Sequence, residues 1–191
     1  EIGRLLERID ELGLRNRVVV AVVGDHGEEF LEHGNSWHGQ SVYGELTQVP
    51  LILWAPGRIP AGRQVSDTVR TIDLMPTLLE LSGLPAPDSL QGQSLLPLLS
   101  GKTTESEVKA VYGAYLGLQR SVTVGNWKLI LYPKISKARL YNIKRDPREM
   151  KDLADNKKTE KVIKRLYKRL LKLQKANNDS LDLKAFFPNL G

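Results

Sequence analysis

Residues 17–54 read RVVVAVVGDHGEEFLEHGNSWHGQSVYGELTQVPLILW, and two apolar runs bracket every histidine of the chain. The first, Arg17 to Gly24, is apolar at each position between its ends and rich in β-branched residues. An amphipathic helix or half-exposed strand would leave polar gaps, so the run reads as a parallel strand buried on both faces. Val49 to Trp54 reads as a second buried strand, closed by the turn-rich APGRIPAG. Upstream, Ile2, Leu5, Leu6, Ile9 and Leu12 fall at helical spacing, with Gly13 as the stop. A helix feeding such a strand belongs to a doubly wound α/β sheet, where sites collect at the carboxyl ends of strands. Asp25 and His26 stand at that end.

Downstream, TIDLMPTLLELSGLP (71–85) reads as a helix, with Asp73 as N-cap, Pro76 in the first turn and Gly83 as stop. LPAPDSLQGQSLLPLLSG is loop with a short helical turn. From about Val108 the pattern changes to short strand-like runs, VKAVYGAYLG, QRSVTVG, WKLILYP and ARLYNI, broken by Gly, Asn or Pro. They predict an antiparallel sheet of hairpins, with Gly125-Asn126 as a two-residue turn. A last helix, about 157–175, carries Val162, Ile163, Leu166, Leu170 and Leu173 on one face. The expected layout is an α/β piece over 1–104 and a small α+β subdomain over 105–191.

With 191 residues, 41% hydrophobic and 26% charged, the chain can build one domain core or part of a larger one. It has no cysteine, which excludes disulfides, thiolate metal sites and a cysteine nucleophile from this chain. No apolar stretch reaches the length of a membrane span, and the opening EIGRLLERID is amphipathic rather than signal-like. Much of the net charge of +6 lies in 151–175. Lys161, Lys164, Arg165, Lys168, Arg169 and Lys172 surround the apolar stripe of the last helix. One reading is a non-enzymatic binding module for anionic polymers. The other is a solvated face on a helix docked to the small sheet, and no nucleic-acid partner is expected.

The chemistry concentrates in the histidine stretch. Asp25 and His26 converge on one ion only if the chain bends there, and the flanking Gly24 and Gly27 permit the bend. A carboxylate beside an imidazole is a sound ligand pair for a divalent cation. The competing reading is an Asp-His turn that caps the next element. Glu28, Glu29 and Glu32 lie in GEEFLEHG, which reads as a helical turn bearing solvated acids. His38, between Trp37 and Gly39, can hold an anionic oxygen or protonate a leaving group, or be a hydrogen-bonded loop residue. Trp37, Trp54 and Trp127 read as core or pocket-wall residues.

DHGEEFLEHG, HGQSVYGELTQVPLILW, TIDLMPTLLELSGLP and LQGQSLLPLLSG occur in the order that resembles the sulfatase family of the alkaline phosphatase superfamily. VGNWKLILYP, RLYNIKRDPREMKDLAD and the last helix are similar to its C-terminal subdomain. The resemblance implies part of an alkaline-phosphatase-like doubly wound sheet, followed by a small antiparallel sheet with a packed helix. It implies Asp25 and His26 as metal ligands for a divalent ion, calcium first, with manganese, magnesium or zinc as alternatives. It implies a catalytic and substrate-binding role for His38, twelve residues past the second ligand, where many members carry a lysine. His33 matches a family histidine to which no role is assigned.

The resemblance also marks an absence. Sulfatases attack with a formylglycine made within Cys/Ser-x-Pro-x-Arg, and no such motif occurs here. The first buried strand already carries the second ligand pair of the family. The sequence therefore reads as the C-terminal part of a metal-dependent sulfate ester hydrolase, inactive alone, whose partners are a small anionic ester and the N-terminal part of the same protein. Relatives within the superfamily widen the chemistry to phosphonate or phosphodiester hydrolysis and phosphoethanolamine-type transfer. The sequence leaves location open, and the resemblance, with its many exported members, only leans towards the periplasm or the extracellular space.

Overall fold

The apolar run after Arg17 forms strand β1 (Val20–Val23), which pairs with β4 (Leu51–Trp54). The pairing is antiparallel, with Val20 opposite Trp54 and Val23 opposite Leu51, which corrects the expected parallel strand. An apolar run reports what its faces meet and carries no information on the direction of its neighbour. Nor are both faces buried in this structure, since Ile52 is 60% exposed. The computed structural model describes residues 1–190, and their backbone contacts divide the chain into two units. One comprises Glu1–Gly24 and Pro50–Val108; the other comprises Asp25–Val49 and Lys109–Gly191. The histidine loop thus groups with the C-terminal residues.

In the first unit, α1 (Ile2–Glu11) ends at Gly13, whose φ of +68° suits a residue without a Cβ. Gly13 N–H bonds Asp10 O and Leu14 N–H bonds Ile9 O, which satisfies two of the last carbonyls of α1. Helix α3 (Leu74–Leu81) begins where expected and stops at Gly83 by the same device. Asp73 precedes it, but its fully buried carboxylate does not cap α3. It accepts from the Arg70 N–H (2.9 Å), the Arg70 guanidinium (2.7 Å) and the Gln93 N–H (3.0 Å). The short α4 (Leu96–Leu99) follows, and Leu95 N–H donates to the Thr77 hydroxyl on α3 (2.8 Å). A groove of about 880 Å³ in this unit is walled mainly by apolar side chains, among them Leu53, Trp54, Val65 and Leu98.

The second unit is organised by a meander of β5 (Val111–Tyr115), β6 (Gln119–Val124), β7 (Trp127–Tyr132) and β8 (Lys137–Asn142), all antiparallel and in chain order. Helix α5 (Glu160–Ala176) covers one face. Val122, Leu129, Leu131 and Leu140 pack with Ile163, Leu166, Tyr167 and Leu170 in one core. Ile130 and Tyr141 join Val42 and Tyr43 in a second cluster. Alternate residues of a strand face opposite ways, so Ile130 serves the second cluster and its neighbours Leu129 and Leu131 the first. That explains why WKLILY is apolar throughout without being a parallel strand. Each fully buried leucine here contributes about 1.5–3 kcal/mol. The α5 stripe is docked as expected, while Lys161, Arg165, Lys168, Arg169 and Lys172 remain exposed.

GEEFLEHG is not a helical turn. Residues 29–37 form a hairpin of β2 (Glu29–Phe30) and β3 (Ser36–Trp37), with Glu29 opposite Trp37 and Phe30 opposite Ser36. Leu31, Gly34 and Trp37 all have positive φ, which a helix does not allow. Glu29 turns inward at 1% exposure, whereas Trp37 is 72% exposed and is not a core residue. Among the described residues, no helix is long and apolar enough to cross a membrane.

Candidate metal and anion site

The residues after β1 are held by backbone before any side chain acts. Gly24 N–H bonds Pro50 O (3.2 Å) and Gly27 N–H bonds Leu46 O (3.0 Å), on the short helix α2 (Gly44–Thr47). A Cβ on Gly27 would lie 1.8 Å from the Glu45 carbonyl oxygen. Glycine is required there by close approach of two backbones, not by the positive φ that a bend suggests.

On this turn the His26 N–H donates to Asp25 Oδ1 (2.9 Å). His26 Nδ1 lies 2.8 Å from the Gly27 carbonyl oxygen. A carbonyl only accepts, so Nδ1 carries the proton and Nε2 of the neutral ring keeps its lone pair. Nε2 lies 3.6 Å from Asp25 Oδ2. Two ligand atoms about 2.1–2.4 Å from one cation, at right to tetrahedral angles, sit roughly 3.0–3.9 Å apart. The pair therefore fits shared ligation of a divalent ion. The His26 backbone N–H, then Asp25's own N–H and the His26 ring, hold the Asp25 carboxyl below the usual carboxylate range. The Gly27 carbonyl, with help from Asp25 and Glu28, raises the His26 imidazole above its ordinary value.

His38, in the loop after β3, stacks on His26 with ring centroids 4.2 Å apart. Its Nδ1 donates to Glu28 at 3.1 Å, which leaves Nε2 for other work. Ligand atoms of His26, Glu28 and His38 lie within 4.8 Å of one another. The structure thus brings together Asp25, His26 and His38, the three residues singled out in the sequence. It adds Glu28, which local sequence places among solvated acids. Only the hairpin, which reverses the chain between Glu28 and His38, makes that pair visible.

His33 is built into a different environment, with only 7% of its side chain exposed. It stacks flat on Tyr43 at 3.6 Å, bonds the Glu149 carbonyl oxygen through Nε2 at 3.0 Å, and contacts Glu45 through Nδ1. Glu149 in turn accepts from Lys128 Nζ at 2.8 and 3.0 Å.

Comparison with known proteins shows what the chain as a whole resembles. Residues 32–176 match the family model described as N-sulphoglucosamine sulphohydrolase, C-terminal. The chain is 32% identical over 191 residues to N-acetylglucosamine-6-O-sulfatase of Bacteroides thetaiotaomicron, covering 94% of this chain and 34% of that protein. It is 31% identical over 167 residues to human arylsulfatase K, covering 80% of this chain and 31% of the relative. A structure solved with its substrate D-glucosamine-2-N,6-O-disulfate superposes with a TM-score of 0.82 at 28% identity, covering 96% of this chain and 39% of the other. A phosphonate monoester hydrolase from Silicibacter pomeroyi shares the fold, with a TM-score of 0.76 at 24% identity, over 94% of this chain and 39% of the other. The chain spans about a third of the length of the curated relatives it matches.

Proposed function

This chain belongs to the sulfatase family, and from that premise we propose that it forms the C-terminal part of a metal-dependent sulfate ester hydrolase. The observation that carries the reading is the convergence of Asp25, His26 and His38, with the free nitrogen of His26 beside the Asp25 carboxylate. Asp25 Oδ2 and His26 Nε2 are the ligand atoms. A divalent cation held there, calcium first and manganese, magnesium or zinc as alternatives, would supply positive charge against the ester anion.

His38 contacts that anion. Its Nδ1–H is committed to Glu28, so in the imidazolium form Nε2–H donates to an ester oxygen and delivers its proton, leaving the ring neutral. When the S–O bond breaks, its electron pair goes to the leaving oxygen, and the Nε2 proton neutralises it. The attacking group belongs to residues outside this chain, as does the rest of the metal shell. One observation favours a second reading, phosphonate or phosphodiester hydrolysis or phosphoethanolamine-type transfer: the second ligand is an imidazole, a nitrogen donor, which brings manganese or zinc in beside oxygen-seeking calcium.

The test uses the full-length protein and two sulfate esters, one with a good and one with a poor leaving group. Replacing His38 with Ala should slow the poor leaving group by about 10²–10⁴-fold, the usual range for general acid catalysis, and the good one far less. Equal losses on both would remove the proton-donor role. Turnover of phosphonate or phosphate esters without sulfate esters would move the reading to its alternative.

A further inference from the structure

The second unit buries a set of ionisable groups that the sulfatase reading does not use. Glu29, on β2, is 1% exposed. Its Oε1 accepts from the Ser41 hydroxyl (3.0 Å) and, at 3.5 Å, from the Asn35 amide. Its Oε2 is buried with no hydrogen-bond partner. A buried carboxylate oxygen without a partner is costly, so it calls for a positive neighbour or a proton.

His33 supplies the second, independent observation. Its Nε2 faces the Glu149 carbonyl oxygen, an acceptor, and therefore carries the ring proton. In the neutral ring Nδ1 is then a lone pair, and it faces the Glu45 carboxylate, another acceptor. Two acceptors do not face each other stably without positive charge between them. An oxygen of Glu29, a ring nitrogen of His33 and an oxygen of Glu45 lie within 4.8 Å of one another. A triangle no larger than that puts its centre about 2.8 Å or less from each corner, a small adjustment from ligand distances of about 2.0–2.6 Å.

The surroundings point the same way: Lys128 is committed to Glu149, and among the described residues no lysine or arginine pairs with Glu29 or Glu45. We propose that Glu29, His33 and Glu45 form a second divalent-cation site, separate from Asp25 and His26. One imidazole with two carboxylates is a donor set for zinc or manganese rather than for calcium. The site is structural: it ties the β2–β3 hairpin to α2.

The test is a zinc titration of the chain in a D25N/H26Q background, which removes the first ligand pair, followed by calorimetry and thermal unfolding. One equivalent of zinc is expected to bind and to raise Tm. In the same background E29Q, which keeps an acceptor for Ser41, should weaken zinc at least 100-fold while retaining the parent far-UV spectrum. H33Q should do the same; if it fails to fold, E29Q carries the comparison. Absence of zinc uptake in the D25N/H26Q background overturns the site. So does a ¹⁵N spectrum at pH 8 in which both His33 nitrogens stay protonated before and after zinc, because a proton then holds the two acceptors together. Loss of sulfatase activity or of the first ligand pair leaves this outcome unaffected.

Discussion

Replacing Lys128 with Met removes one half of the pair buried beneath the histidine loop, and its cost can be worked out from Glu149. Glu149 is fully buried and Lys128 nearly so, with Nζ 2.8 and 3.0 Å from the two carboxylate oxygens. Burial pushes the Glu149 carboxyl up and the Lys128 ammonium down, so each charge resists being inside even with its partner present. Without Lys128 the cheapest state for Glu149 is the neutral acid. Holding it neutral at pH 7 costs about 1.36 kcal/mol for each of the roughly 2.7 pH units above an ordinary glutamate, or about 3.7 kcal/mol. That lies within the roughly 3–5 kcal/mol typical of a broken buried pair.

The same reasoning fixes the pH dependence. A carboxyl whose folded pKa is raised favours the fold below its unfolded value, near 4.3, and penalises it as pH rises. The K128M deficit should therefore be below about 1 kcal/mol near pH 4.5 and grow to about 3.7 kcal/mol at pH 7. K128M/E149Q removes both charges and should recover to within about 1 kcal/mol of the parent. Hydrogen exchange of the β7 amides reads the stability of this unit directly. A K128M deficit that does not change with pH, or a double variant as unstable as the single, would refute the electrostatic account and leave packing as the cause.

Other consequences follow from particular contacts. Gly27→Ala drives a Cβ into the Glu45 carbonyl, and since neither backbone can yield, a loss of about 3 kcal/mol is expected in urea unfolding; a loss under about 0.5 kcal/mol would contradict the contact. Asp179 accepts from Arg120 Nε (2.5 Å) and from the Tyr112 hydroxyl, and Arg120 above all holds its carboxyl well below the usual range. Its contribution is complete above an unfolded value near 3.9 and disappears as pH falls further, so D179N should cost about 2–3 kcal/mol at neutral pH and progressively less below about pH 4. Purified as these 191 residues alone, the chain should hydrolyse neither sulfate nor phosphate esters, because it contains no Cys/Ser-x-Pro-x-Arg motif. Turnover that co-purifies with the chain through two orthogonal columns would contradict this.

What could be read from the sequence was whatever local pattern determines. The periodicity of α5, the Gly13 and Gly83 stops and the turn at Gly125-Asn126 all depend on residues a few positions apart, and each is where the pattern puts it. Strand direction was not legible, because VVVAVV is equally apolar beside a parallel or an antiparallel neighbour. The β2–β3 hairpin was hidden for a related reason: its acids and apolar residues suit a short helix, and only the positive φ at Leu31, Gly34 and Trp37 distinguishes the two. The site divides along the same line. Asp25 and His26 are singled out by a local Gly-Asp-His-Gly turn, and the roles given to them and to His38 come from the family resemblance. Glu28 becomes a partner of His38 only through the chain reversal, and the Glu149 carbonyl reaches His33 across 116 residues.

That long contact explains why the histidine loop groups with the C-terminal sheet rather than with the strand that precedes it. Val42 and Tyr43 pack on Ile130 and Tyr141, so the loop contributes a hydrophobic surface to the sheet. Tyr43 then does three jobs: its ring stacks on His33, its hydroxyl accepts from Arg139 (2.7 Å) and Tyr132 (2.9 Å), and its backbone caps α2. Gly27 is pinned to α2 in turn, and Asp25 and His26 adjoin Gly27. The position of the candidate ligands is thus set by a chain of packed and hydrogen-bonded groups that ends in β7 and β8. In this arrangement the small C-terminal sheet is the foundation of the candidate site, and substitutions at Tyr43 or Lys128 act on it through this packing and hydrogen bonding.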